Sequence, residues 1–345
     1  MKKTALIVFS WILFFNLIHA NGQVPDVFKK KKLNIVLLIE YSAGDYFARY
    51  MEGVREEARS LGFHLEIMDA RSKKDKMVNM LNSAVVKNSD GIMISHCSSE
   101  KLLKGVKTAL RKGIPLVTVD CDMPLKDIVR IWKDDHKIAE LGLKKVIKDT
   151  NGKANLVHIW VPGYQPMEKR MKAYQEIISQ YPGIKEIRRF GKATNNTSLY
   201  TQVTMTSVLK KHPPGSVNVV WATWNEFARG AARAIMQAGR NEIKLYGIDI
   251  NDEDIKMLQD PKNPWTATAG VDSKSIGKVH VRILAYKIAG KETPEKYLFQ
   301  PVLITKEVLP SDVKVSVENL HNYVPEWGDP GDFSDAWINE LKKRD

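Results

Sequence analysis

The sequence predicts an α/β protein of two doubly wound, parallel-sheet lobes with a ligand cleft between them. Three observations lead there. Short apolar, β-branched runs alternate with amphipathic helical stretches through most of the chain, the pattern of strand–helix–strand units with parallel strands. The alternation runs to about residue 133 and then starts again, which makes two units in tandem. The 345 residues are enough to build two cores of ordinary size.

The first unit opens with the apolar run 34–39, a buried strand, followed by a helix over 45–61 that stops at Gly62. A strand over 63–68 leads to a helix over 74–88, whose Met77, Met80, Leu81, Ala84 and Val85 share one face. Strand 91–95, helix 100–111 stopped by Gly113, strand 114–119 ending in Asp120, and a short strand 128–132 complete the unit. The second unit reads helix 136–149, strand 154–161, helix 168–180 ended by Pro182-Gly183, strand 184–190 and helix 198–211. Strand 217–221, helix 226–238 with Gly239 as its stop, and strand 244–248 follow. Residues 266–271, 276–289 and 302–304 add a strand, a helix and a strand. The last stretch, 310–345, is rich in Pro, Asp and aromatic residues and reads as a tail packed on a lobe.

The N-terminus differs from the rest. Lys2 and Lys3 precede an apolar run from Ala5 to Ile18, then His19-Ala20-Asn21-Gly22. A basic start, an apolar stretch and small residues near a cut site make a secretory signal peptide over 1–22, cut after Ala20 or Gly22. The run is shorter than the roughly 20 residues of a membrane helix; an uncleaved anchor is the alternative. No cysteine lies near the cut, so a lipid anchor is not expected. The formal charge of +13 falls to +11 if Lys2 and Lys3 leave with the leader. Its cations are scattered, apart from Lys29 to Lys32, and with the export signal this argues against nucleic acid as a partner. Two cysteines, Cys97 and Cys121, each follow a predicted strand. A bridge is allowed in an oxidising compartment, but its geometry is not legible in sequence. The 8 histidines are scattered with none at metal-ligand spacing, and no phosphate-binding loop is present, so neither metal nor cofactor is called for.

The strand 217–221 runs into the helix from Glu226, and Trp224 and Asn225 sit in the connection. Ligands of open α/β sheets bind outside the carboxyl ends of the strands. An aromatic face and an amide there suit a small polar ligand; the plainer reading is a core tryptophan covering the helix start.

Several stretches combine into a resemblance. They are Asp45-Tyr46-Phe47 with Gly53 and the Leu61-Gly62 end, Gly91-Ile92-Met93-Ile94-Ser95, Gly113 to Asp120, Trp224-Asn225-Glu226-Phe227-Ala228-Arg229-Gly230-Ala231, and Tyr246-Gly247-Ile248-Asp249. In this order and at this spacing, residues 33–304 resemble the type 1 periplasmic sugar-binding proteins of ABC importers, the ribose-binding-protein-like family. The resemblance implies two Rossmann-like lobes joined by a three-stranded hinge. It places the N-terminal lobe at 33–133 plus 272–304 and the C-terminal lobe at 134–271 plus 305–309, with 310–345 as the tail. The crossings then fall near 132–135, 270–273 and 304–306.

Carried over residue by residue, Asp120 and Asp249 match the family's ligand carboxylates, one per lobe. Ionised carboxylates accept from several sugar hydroxyls at once. Tyr46 and Phe47 match the N-lobe aromatics, Ser95 a polar position, and Trp224 with Asn225 a position often held by an amide. Asp272, on the last hinge, is a further candidate. Each aspartate also reads as a helix N-cap or a hinge hydrogen bond. Two departures matter. Glu168 falls where the ribose-type arginine belongs, and Cys121 replaces the arginine after the fourth strand. With Glu40 at the cleft mouth, the expected pocket holds Glu40, Asp120, Glu168 and Asp249 and few cations, which favours a neutral or positively charged ligand over a sugar acid or phosphate. The alternative is that Arg170 or Lys169 turns inward and restores the balance.

The implied function is capture of a monosaccharide or polyol by hinge closure and delivery to the membrane permease of an ABC importer, by a periplasmic monomer that is not an enzyme. A sensor module serving a chemoreceptor or histidine kinase shares the same cleft, with a signal such as a furanose-type autoinducer. Paired carboxylates also invite a glycoside-acting enzyme. A transcription regulator of the lac-repressor class needs an N-terminal helix-turn-helix where this chain has its leader.

Overall fold

In the computed structural model, which describes residues 22–97 and 99–344, twelve strands form two six-stranded sheets, one per lobe. The leader expected over 1–22 lies outside the described residues except for Gly22.

The first lobe contains α1 (Val27–Lys30), β1 (Asn34–Ile39), α2 (Asp45–Ser60), β2 (His64–Asp69), α3 (Lys74–Val86), β3 (Gly91–Ser95), α4 (Ser99–Arg111), β4 (Leu116–Val119) and β5 (Val129–Lys133). The chain then enters the second lobe with α5 (Asp135–Thr150), β6 (Ala154–Ile159), α6 (Gln165–Ile178), β7 (Ile184–Phe190), α7 (Thr197–Lys211), β8 (Val219–Ala222), α8 (Asn225–Gln237), β9 (Lys244–Ile248), α9 (Asp252–Gln259) and β10 (Trp265–Gly270). It returns with α10 (Ser273–Ile288) and β11 (Lys296–Phe299), adds β12 (Val302–Thr305), and ends at α11 (Ala336–Lys342).

The strand orders are β11-β5-β4-β3-β1-β2 and β12-β10-β9-β8-β6-β7. All pairs are parallel except β10 with β12. Strand β1 shows why its sequence reads as a continuous apolar run. Ile35, Leu37 and Ile39 face the core shared with α2 and α10, and Val36 and Leu38 face α3 and α4 on the opposite side. In the second sheet, Val220 faces α7, α8 and α9, while Val219 and Trp221 face α5 and α6. Each such side chain, fully buried, contributes about 1.5–3 kcal/mol.

Helices α2 and α10 touch backbone to backbone. A Cβ on Gly53 would lie 2.0 Å from the carbonyl oxygen of Lys274, and one on Gly277 would lie 2.2 Å from that of Tyr50. Beside this contact His280 is fully buried, its Nδ1 2.7 Å from the Tyr50 hydroxyl and its Nε2 3.1 Å from the Val117 carbonyl. The carbonyl only accepts, so Nε2 carries the proton and Nδ1 accepts from Tyr50. Burial drives this imidazole from its ordinary 6.5 down to about 4, despite the Val117 bond. Below pH 6.5 the unfolded chain binds a proton that the folded chain refuses. Stability therefore falls as the pH drops from 6.5 towards 4, by up to about 3 kcal/mol. Urea unfolding of wild type and His280→Gln at pH 7 and pH 4.5 checks this: the loss on acidification is expected to shrink in the variant, and equal losses would exclude His280 as the neutral group.

Two expectations are corrected. Residues 302–304 belong to the second lobe, because β12 pairs antiparallel with β10, and the third passage lies at Gln300-Pro301 instead of near 304–306. The first lobe ends instead on β11, a short, half-exposed edge strand beside β5 that has no strong apolar signature. The tail does not pack on one lobe but on both. Val315, Val317, Leu320, Val324 and Trp327 complete the second lobe's core, and Trp337, Ile338 and Leu341 complete the first lobe's. Among the described residues no helix is long and apolar enough to cross a membrane.

Candidate functional site

A cavity of about 410 Å³ lies between the lobes, where the carboxyl ends of both sheets meet. Glu40 follows β1, His96 follows β3, Asp120 follows β4 and Lys133 ends β5; from the other side, Val161 follows β6, Trp224 follows β8 and Asp249 follows β9. Size and position suit a molecule of monosaccharide dimensions.

The two aspartates differ electrostatically. Asp120 Oδ2 accepts from Lys133 Nζ at 2.7 Å, and His96 Nε2 lies 3.3 Å from the same oxygen. Burial alone would raise this carboxyl, but Lys133 and His96 outweigh it and hold Asp120 well below the usual range. Lys133 Nζ also donates to the Tyr46 hydroxyl at 3.1 Å, and Asp120 lifts its pKa against the effect of burial. Asp249 has a looser partner, Arg170 Nη1 at 3.7 Å, and here burial wins: its pKa is raised, with Arg170 and Lys133 opposing. Arg170 is itself fixed by Asp135 Oδ1 at 2.9 Å and by the Thr223 carbonyl at 2.6 Å.

In both aspartates Oδ1 is buried with no hydrogen-bond partner among the described residues. Such groups carry a penalty unless a donor meets them. Both residues have left-handed backbones, φ 48° and 65°, a strained conformation that concentrates at functional sites. His96 (φ 52°) shares it, and the Cys97–Cys121 disulfide ties the His96 and Asp120 turns together, with Cα atoms 5.0 Å apart. Sequence had left that bridge open.

Of the residues expected from sequence, the cavity gathers Glu40, Tyr46, Phe47, Asp120, Arg170, Trp224 and Asp249. Four others lie outside its lining. Glu168 is on the outer face of α6 and accepts from the Gly163 N–H at 2.7 Å. Helix α6 starts at Gln165, so Met167, Arg170, Met171 and Tyr174 form the inward stripe and Arg170 occupies the interior. Ser95 is buried behind His96, 2.9 Å from its Nδ1. Asn225 donates to Asp254 at 2.7 Å. Asp272 caps α10 through the N–H groups of Lys274 and Ser275 and pairs with Arg49 at 3.2 Å, the plainer role already open to it.

The expectation of few cations is also corrected. Glu40, Asp120 and Asp249 face Lys74, Lys133 and Arg170 across one cavity. Three charges of each sign compensate one another, which suits a neutral ligand. Sequence reasoning missed Lys133 and His96, although both follow or end strands whose carboxyl ends point at the cleft. Lys133 was absorbed into the hinge, and His96 had no motif around it.

The lining is divided by character. Asp120, Lys133, His96, Arg170 and Asp249 form a charged end. Trp224 and Met167 belong to the second lobe's apolar core, with Tyr41, Val161 and Ala193 packed against it, and Phe47 meets Tyr41 edge-on at 5.4 Å. No group of three or more potential metal ligands occurs among the described residues.

Residues 35–292 match the family model described as periplasmic binding protein domain. The chain belongs to the family of type 1 periplasmic sugar-binding proteins. As a member of it, this binding protein superposes on a sugar ABC transporter structure from Yersinia enterocolitica subsp. enterocolitica 8081 with a TM-score of 0.87 and 32% identity, over 93% of this chain and 98% of that one. It superposes on the 5-methylthioribose transporter solute binding protein of Thermotoga lettingae TMO, in complex with 5-methylthioribose, with a TM-score of 0.86 and 34% identity, over 91% and 99% of the two chains. The ribose import binding protein of Escherichia coli (strain K12) is 22% identical over 313 residues, 89% of this chain and 99% of its own length.

Proposed function

We propose that this protein is the extracytoplasmic receptor of an ABC importer, and that it captures a neutral monosaccharide or polyol bearing an apolar substituent. The observation that carries the reading is the pair of buried, unpartnered Oδ1 atoms of Asp120 and Asp249, one from each lobe, in a charge-balanced cavity. Sugar hydroxyls donate to both oxygens, so the ligand bridges the lobes and favours the closed form. Lys133, held by Asp120 and Tyr46, and Arg170, held by Asp135, supply donors without reorganising. The apolar C–H face and the substituent lie against Trp224, Tyr41, Phe47 and Met167. The relatives support the class, since one is a ribose import binding protein and another holds 5-methylthioribose. Delivery to a membrane permease, export by the 1–22 leader, a periplasmic location and a monomeric state complete the reading.

Thermal shifts against D-ribose, 5-methylthioribose, polyols, uronates and sugar phosphates test it. A ligand at 100 times its Kd stabilises by about 2.7 kcal/mol. The largest shift is expected for a neutral sugar with an apolar substituent, a smaller one for D-ribose, and none for uronates or phosphates. Silence from every neutral sugar, or a dominant shift from an anionic one, would sink the reading.

A further inference from the structure

We infer that Asp45, Arg229 and Asn251 form a latch across the cleft mouth that sets ligand affinity without touching the ligand. The inference rests on the hinge-closing reading above. Asp45 is the first residue of α2 in the first lobe, and Arg229 and Asn251 belong to the second. Asp45 Oδ2 accepts from both Arg229 Nη2 and Asn251 Nδ2. None of the three lines the cavity.

The second-lobe half of the latch is built in advance. Arg229 is held by Asp254 at 3.0 Å and Glu253 at 2.8 Å, and the fully buried Asp254 also accepts from Asn225 Nδ2 at 2.7 Å and from the Asn251 N–H at 2.8 Å. All of these bonds lie within one lobe and survive opening. Only the bonds to Asp45 break, and that carboxylate, 42% exposed, then returns to water. This gives Asn225 its work: it braces the latch instead of meeting ligand. The neighbouring backbone confirms how closely α2 seats against the second lobe, because a Cβ on Gly44 would lie 2.6 Å from Glu226 Oε1 and 3.3 Å from the Trp224 ring.

Each latch residue adjoins cavity-lining residues in sequence. Asp45 precedes Tyr46 and Phe47, Asn225 follows Trp224, and Asn251 lies two beyond Asp249. Closing the latch therefore brings those lining residues to their places. Because no latch atom contacts the ligand, its free energy favours closure whether or not the cavity is filled. Two charge-assisted bonds to a half-exposed carboxylate fall at the low end of such interactions, worth about tenfold in affinity.

The test compares wild type, Asp45→Ala and Asp45→Glu. X-ray scattering of the ligand-free proteins at low salt is expected to show Asp45→Ala as more open than wild type, with Asp45→Glu between them and the difference shrinking in about 0.5 M salt. Titration with 5-methylthioribose is expected to give about tenfold weaker binding for Asp45→Ala, carried by faster dissociation, while its ligand-free unfolding temperature falls by no more than about 2 °C. Identical scattering by wild type and Asp45→Ala overturns the latch, as does a Kd within twofold of wild type. If 5-methylthioribose and D-ribose bind neither protein while the scattering difference persists, the latch stands and the ligand reading falls.

Discussion

Asp120→Asn is expected to weaken ligand binding by at least about 100-fold and also to destabilise the first lobe. The two losses have separate causes. Binding suffers because Oδ1 no longer carries the charge that a sugar hydroxyl meets; a hydrogen bond to a charged group is worth about 1.5–3 kcal/mol, and the amide group turns a donor towards donors. Stability suffers because Lys133, 3% exposed, loses its ion partner, and breaking a buried pair from one side costs about 3–5 kcal/mol. Asparagine is the substitution of choice because it tolerates the left-handed backbone that Asp120 adopts at φ 48°. Adding Lys133→Met separates the effects: removing the stranded cation should recover most of the lost unfolding temperature and none of the affinity. Asp249→Asn offers the contrast. Its partner Arg170 is 3.7 Å away and keeps Asp135 and the Thr223 carbonyl, so binding should fall about tenfold with little change in stability. Calorimetric titration and unfolding of the three variants beside wild type decide the matter. Affinity within threefold of wild type for Asp120→Asn would remove Asp120 from the site.

The parts of this molecule that sequence made legible are those dictated by periodicity. Strands buried on both faces, such as Asn34–Ile39, carry apolar residues at every position, and helices between them carry one stripe, so element type and two-lobe architecture follow directly. Residues at strand ends are legible for the same reason, which is how Glu40 and Trp224 are placed at the cavity, whereas Asp120 and Asp249 come from the family resemblance. Sequence failed where a side chain's direction depends on helix phase. Starting α6 three residues late put Glu168 where Arg170 belongs and reversed the charge expected of the pocket. It failed again where a polar residue serves another polar residue: Asn225 meets Asp254, and Ser95 meets His96. Asp254 reaches Asn225 from another helix, through the fold alone, and His96, although next to Ser95 in the chain, meets its hydroxyl only through the left-handed turn at φ 52°. The edge strand Lys296–Phe299 and the two-lobe docking of the tail were hidden because short, half-exposed segments lack a period long enough to read.

Trp337→Ala should lower the unfolding temperature of the first lobe by about 6–20 °C although the residue lies eight positions from the C-terminus, remote in sequence from every cavity residue. Its indole is fully buried, with ring centroids 5.5 Å from Phe28 and 5.1 Å from Tyr286, and Phe28 in turn stacks on Phe63 at 5.9 Å. Replacing it opens a cavity at a junction of the N-terminal segment, α10 and α11 that none of the three closes alone. Val313→Ala, at a residue 46% exposed in the same tail, is the control and should leave the unfolding temperature unchanged. A fall of less than 2 °C for Trp337→Ala would mean that the tail merely covers a finished core. The consequence extends to cooperativity. Trp327 is rooted in the second lobe, Trp337 in the first, and between them Asp329 is bound to Arg282 at 2.6 Å, which itself grips the buried Glu57 at 2.7 Å. A chain rooted at both ends lets unfolding of one lobe strip core residues from the other, so the wild type should melt in a single calorimetric transition. Ending the chain after Gly328 keeps the second lobe's anchor and removes the first lobe's, and should split that transition in two, the lower one belonging to the first lobe.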